Sequence, residues 1–221
     1  MMLLREPGHV PIYFFPEKDM HAAFLQSSDH TSRSDFTGDG KFWHITVAGN
    51  VAENAAFAFS NPPVGGPNLE GYIAFDWNKM EAWYEEEEEI FRHARDPYKR
   101  VDTLRGSRHI KVVIDGITIA ETRQPRLLFE TGLPTRYYIP QSDVQMDLLE
   151  QSNVITQCPY KGKAQIFNIR IGKQLHEGIA WIYRDSTPEG AKVQGLVSFF
   201  NEKVDITEDG ELLARPKTKW S

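Results

Sequence analysis

The chain has 221 residues, 40% hydrophobic and 25% charged, an ordinary globular composition with enough apolar mass for one or two modest cores. Its net charge of −6 argues against a phosphate-binding surface, so nucleic acid is not an expected partner, and no apolar run approaches the roughly 18 residues of a membrane span. Residues 1–8 are too poor in apolar residues for a signal peptide, and the lone Cys158 permits neither an internal disulfide nor a multi-cysteine zinc site, so a soluble cytoplasmic protein is expected.

In chain order, residues 42–47 and 51–59 read as paired strands about a turn at Ala48-Gly49-Asn50. Residues 61–67 (NPPVGGP) read as a loop. Residues 79–89 have helical propensity and end in five consecutive glutamates, Glu85 to Glu89. Residues 91–107, with Arg95-Asp96-Pro97-Tyr98, read as a linker. Residues 109–114 and 117–120 flank Asp115-Gly116, the dipeptide favoured in a two-residue type I′ turn, and predict a hairpin. Short apolar stretches follow at 126–130 and 137–139, before Pro140. Residues 164–171 (AQIFNIRI) alternate as a half-buried strand, Gly172-Lys173 turns it, and 175–183 (LHEGIAWIY) returns. Residues 185–190 form a second loop, with a short helix predicted over 188–196.

The second half rewrites the first at one offset, 124 residues, without a gap. Glu6, Gly8, Tyr13, Pro16 and Asp19 meet Glu130, Gly132, Tyr137, Pro140 and Asp143. Leu25, Ser28, Gly38 and Ile45 meet Leu149, Ser152, Gly162 and Ile169; Glu53, Ala56, Gly71, Phe75 and Lys79 meet Glu177, Ala180, Gly195, Phe199 and Lys203. Such a register predicts two tandem copies of one small, mostly β, antiparallel domain, at 1–90 and 108–221 with 91–107 between them. It also overrules the helical reading of 79–89. The partner segment 204–210 (VDITEDG) is β-branched, alternating and closed by Asp-Gly, so a strand running into an acidic surface turn is expected. Projecting the hairpin at 108–122 back by the same offset falls before residue 1, so the first copy is expected to lack its opening hairpin, through loss of the element or a mis-assigned gene start.

The motifs Gly132-Leu133-Pro134-Thr135-Arg136-Tyr137-Tyr138, Cys158-Pro159-Tyr160-Lys161-Gly162, His176-Glu177 and Phe200-Asn201-Glu202-Lys203-Val204-Asp205 resemble the "domain of unknown function 427" family. The first copy carries a variant in Ala52-Glu53-Asn54-Ala55-Ala56 and in residues 71–80. The joint at 96–102 with Ser107-Arg108-His109 is similar to that of tandem members. The resemblance implies a mostly antiparallel fold of β-tent type, similar to domains that hold a small ligand between two sheets. It also brings a nucleotidyltransferase-like label, for which the chain has no glycine-rich phosphate cradle and no spaced carboxylate pair to hold magnesium. Relatives of the fold carry zinc on paired CxxC motifs; this chain has none, and no cofactor or metal is expected.

The copies differ most in chemistry at Cys158-Pro159-Tyr160-Lys161-Gly162, which reads Ser34-Asp35-Phe36-Thr37-Gly38 in the first copy. Cys158 reads either as a thiol activated by the Lys161 cation or as a small buried hydrophobe. His176 and Glu177 are candidates for a base and its orienter, although neighbours on a strand face opposite ways unless a bulge intervenes. Arg136 suits a carboxylate or phosphate, or an ordinary ion pair. Trp181 and Tyr183 share a strand face and suit a core or a pocket wall. Catalytic candidates are therefore Cys158, Lys161, His176 and Glu177, and ligand-binding candidates are Arg136, Tyr138, Tyr160, Trp181 and Tyr183. The expected partner is a small molecule, handled by thiol or acid–base chemistry in the second copy. A binding module without catalysis, or a two-domain interaction scaffold, stands as the alternative.

Overall fold

Each half of the repeat becomes its own body. The computed structural model describes all 221 residues and divides into Met1–Asp96 and Pro97–Ser221. The first unit contains β1 (Met2–Leu4), β2 (Ile12–Pro16), β3 (Leu25–Ser34), β4 (Gly38–Val47), β5 (Asn50–Ser60) and β6 (Tyr72–Phe75). They form one antiparallel sheet in the order β1-β2-β6-β5-β4-β3. The acidic run is a hairpin, as the repeat requires: β7 (Trp83–Glu85) pairs with β8 (Glu88–Ile90) about a turn in which Glu86 takes φ 52°.

The second unit adds β9 (Val101–Arg105), β10 (Ile110–Ile114), β11 (Ile117–Thr122), β12 (Arg126–Glu130), β13 (Arg136–Ile139) and β14 (Leu149–Cys158). It continues with β15 (Gly162–Ile171), β16 (Gln174–Asp185), β17 (Val197–Phe199), β18 (Asp205–Glu208) and β19 (Glu211–Leu212). Seven strands make one sheet, β14-β15-β16-β17-β13-β12-β9, and four make another, β11-β10-β18-β19. The β10–β11 turn is left-handed at both Asp115 (φ 50°) and Gly116 (φ 79°), the backbone a type I′ turn demands. The predicted short helix is a 3₁₀ segment, Pro188–Val193, capped by Thr187. Residues 101–105, read from sequence as linker, are instead an edge strand paired with β12. Thr103 is buried there while Leu104 is exposed, and so mixed a run carries little sequence signal.

Local irregularities repeat as faithfully as the strands. The β4–β5 register shifts between Trp43 and Ile45, and β15–β16 shifts between Phe167 and Ile169. Each bulge is held by the side chain at the same repeat position: the Asn54 N–H donates to His44 Nδ1 at 3.1 Å, and the Gly178 N–H to Asn168 Oδ1 at 2.9 Å. Lys79 and Lys203 then donate to the bulged carbonyls. Beyond these lysines the repeat slips by one. Tyr13 donates to Glu85 and Tyr137 to Glu208, so the last hairpin follows an offset of 123 rather than 124.

Strand alternation gives the seven-stranded sheet two different faces. One carries Leu127, Tyr137, Ile139, Phe167, Ile169, Ile182, Val197 and Phe199, which pack with Ile110, Val112, Ile119 and Ile206 of the four-stranded sheet into the main core. The other carries Leu128, Tyr138, Ala164, Ile166, Trp181 and Tyr183 in a smaller cluster.

Candidate functional site

The smaller cluster is where polar chemistry accumulates. Cys158 pairs directly with Gly162, whose parity on β15 is that of Ala164 and Ile166, so the thiol belongs to the Trp181 face. Pro159 and Tyr160 make the turn of that hairpin, closed by the Lys161 N–H donating to the Cys158 carbonyl at 3.3 Å. Gly162 (φ 103°) has no alternative: a Cβ there would collide with the Asp185 carbonyl. Its counterpart Gly38 (φ 90°) is pressed in the same way against the Ser60 carbonyl. Thr187 donates from Oγ1 to the Tyr160 carbonyl at 2.7 Å and pins the following loop over the turn.

Lys161 donates its ammonium to Glu130, whose side chain is nearly inaccessible, and Lys99 lies 3.4 Å from the other carboxylate oxygen. Two cations on one carboxylate leave one surplus positive charge at this corner. Beside it Arg136 grips Glu202 with two parallel hydrogen bonds of 2.7 Å, both side chains buried. The Arg136 guanidinium lies between 5.5 and 5.9 Å from the ring centres of Trp181, Phe200 and Trp220. Thr218 donates to Glu202 at 2.6 Å, which ties the C-terminal segment to the pair. Burial pushes the Glu202 carboxyl up, but the hydrogen bonds from Arg136, Thr218 and its own backbone outweigh it and hold the group at about 2.

Tyr138 is buried and accepts the Trp181 indole N–H at 3.2 Å. Burial raises its hydroxyl pKa well above the usual range, and Cys158 and Glu130 add to the rise. Tyr183 is raised further, first by burial and then by Tyr138, Cys158 and Glu130. Both phenols therefore keep their protons through neutral pH. The buried hydroxyls of Thr103, Ser186 and Ser198 have no hydrogen-bond partner in the chain. Ser198 lies directly across from Tyr138 and Trp181, and Thr103 across from Leu128, so both belong to this face. Buried polar groups are almost always paired. On this sheet face Thr103 and Ser198 are the exceptions.

The expected catalytic group does not assemble. Lys161 is beside Cys158, but His176 pairs with Ile169, seven positions along β15 from Gly162, or about 23 Å at strand rise. Ile169 is in the main core, so His176 also faces the opposite side of the sheet, 3.1 Å from Asp115 of the β10–β11 turn. Glu177 lies in the bulge and is exposed. Of the expected binding residues, Arg136, Tyr138, Trp181 and Tyr183 share the face and Tyr160 is buried in the adjoining turn. Glu130, Glu202, Thr103 and Ser198 were not singled out from sequence as site residues. For Ser198 a signal existed, because its counterpart at offset 124 is Ala74.

The first unit supplies a natural control. Phe14, Phe57 and Phe59 stand where Tyr138, Trp181 and Tyr183 do, with nearly the same ring spacings: 6.1 and 6.2 Å against 6.1 and 6.4 Å. Phe36 replaces Tyr160, Ala74 replaces Ser198, Ile12 replaces Arg136, and Ser34 and Thr37 replace Cys158 and Lys161. The packing is kept, while the hydroxyls of Tyr138, Tyr183 and Ser198 and the charges of Arg136 and Lys161 are gone.

Comparison with known proteins gives one family. The model of a domain of unknown function (DUF427) matches residues 1–86 and again 102–210. No curated protein matches the chain.

Proposed function

We propose that this chain, which belongs to the DUF427 family through both of its halves, has one working site, on the Trp181 face of the second unit, and holds there a small polar molecule with carbonyl or carboxylate oxygens. The observation that carries this reading is the pair of unpartnered hydroxyls on that face, Thr103 and Ser198, together with the replacement of Tyr138, Tyr183 and Ser198 by Phe14, Phe59 and Ala74 in an otherwise similarly packed first unit. Hydroxyls that the fold does without in one copy are not there to stabilise the fold. Protonated Tyr138 and Tyr183 suit acceptor oxygens, and the surplus charge of Lys99 and Lys161 over Glu130 favours an anionic ligand.

Cys158 is the group able to exchange a covalent bond with such a ligand, and the Lys161–Glu130 pair the one able to exchange a proton. Arg136 and Glu202 shape the wall, bound to each other and to Asn201 and Thr218. His176 takes no part in this reading, since it faces away at the far end of β16.

The test is the rate at which iodoacetamide alkylates Cys158 in the folded chain at neutral pH. Lys161→Met changes the rate, because the side chain that ties this turn to Glu130 is lost, while His176→Ala leaves it unchanged. Equal rates in Lys161→Met and the parent chain, or a change confined to His176→Ala, would refute this arrangement.

A further inference from the structure

In the first unit, the face equivalent to the second unit's main core is open. Phe15, Phe24, Leu25, Ile45, Phe75 and Trp83 wall a cavity of about 380 Å³. At offset 124 the first five correspond to Ile139, Leu148, Leu149, Ile169 and Phe199, all in the second unit's core or packed against it. Past the one-residue slip, Trp83 corresponds to Ile206, another core residue. The second unit closes that core with the β10–β11 hairpin, through Ile110, Val112, Ile114, Ile119 and Ala120. The first unit has no hairpin at this place, and Phe24 is left 45% exposed.

Two more features match a hairpin and not a small apolar molecule. In the second unit β18 pairs with β10 on one side and β19 on the other, whereas β7 pairs with β8 alone. One backbone edge of β7 is therefore unpaired, and Trp83 of that strand lines the cavity. The far strand of the second unit's hairpin is fixed by the Thr122 hydroxyl donating to Asp143 at 2.6 Å. It is also fixed by the Gln145 N–H donating to the Ile119 carbonyl at 2.8 Å, and by an Ala120–Val144 bridge. Asp19, Met20 and His21 occupy the three receiving positions and line the open cavity. A small apolar ligand would use the wall but neither the strand edge nor the Asp19 carboxylate.

We propose that this face docks a β-hairpin: a polypeptide segment from outside these 221 residues, with branched aliphatic side chains at alternate inward positions and a hydroxyl residue near its end. One strand adds to the free edge of β7, and main-chain hydrogen bonds and alternate side-chain pockets share the recognition. The other strand crosses Met20 and His21 and brings its hydroxyl to Asp19.

The probe is a synthetic peptide with the sequence of residues 107–123, titrated into the full chain by calorimetry and by the fluorescence of the stacked Trp77 and Trp83. The expected result is saturable one-to-one binding and a higher unfolding temperature. Binding weakens by about tenfold or more when the peptide carries Val112→Asp and Ile119→Asp, or when the protein carries Phe24→Glu. As a second measurement, the same segment fused in register ahead of Met1 lowers the fluorescence of a hydrophobic dye added to the chain. The proposal is overturned if the peptide fails to bind and the fusion changes nothing, or if the aspartate peptide binds equally well. It is also overturned if the chain already forms a dimer that Phe24→Glu dissociates, since a second copy would then be the occupant.

Discussion

Arg136 and Glu202 show how costly a side chain can be when its partner is taken away. Both are buried, so Arg136→Met leaves a carboxylate stranded among Trp181, Phe200 and Trp220, a loss of about 3–5 kcal/mol by urea unfolding. The same pair sets an acid limit. With its carboxyl held at about 2 against an ordinary 4.5, Glu202 stabilises the fold fully above pH 4.5 and progressively less as pH falls toward 2. Stability measured across that window falls less steeply in Glu202→Gln than in the parent chain. An equal slope in the two would remove Glu202 from the account. Single residues were partly legible in the sequence. The asymmetry at 158–162 stood out because four of its five residues change at once, and Cys158 and Lys161 flank one turn. Glu130 stayed hidden as the partner of Lys161 because 31 residues and two strand crossings separate them. His176 was misleading because facing depends on the count around a bulge, which sequence periodicity does not register.

Among the elements, the β14–β15 hairpin positions the thiol, and its glycines are unequal. Gly162 is left-handed and pressed against the Asp185 carbonyl, whereas Gly172, also left-handed (φ 58°), turns the next hairpin in open space. Gly172→Ala therefore costs about 1 kcal/mol from backbone conformation alone, while Gly162→Ala costs that plus displacement of the loop after Asp185. Thermal denaturation of the two variants separates the effects, and equal losses would contradict the tight approach. Turn chemistry made several elements readable. Asp115-Gly116 announced its hairpin, and the Val204–Gly210 copy corrected the helical look of the glutamate run. The strand at 101–105 was not readable, because an edge strand with one buried position in its middle lacks both alternation and a turn signal.

For the whole molecule, duplication left two units with one framework and different fates. The repeat carried strand order and shared bulges from one unit to the other, and within residues 1–96 no hairpin stands where β10 and β11 stand in the second unit. Only the structure shows the consequence, an apolar face and a free strand edge. It likewise turns Tyr138/Phe14, Tyr183/Phe59 and Ser198/Ala74 from sequence differences into deletions of hydroxyls on a single sheet face. The account's central claim is that those hydroxyls serve a ligand and not the fold. It is tested most directly by exposing the chain to a cell metabolite extract and identifying retained small molecules by native mass spectrometry, in parallel with Tyr183→Phe. The parent chain retains a small polar compound. Tyr183→Phe loses it while unfolding at the same temperature, because the first unit packs a phenylalanine, Phe59, at the same place. Retention of the same compound by both chains, or by neither, would contradict the claim.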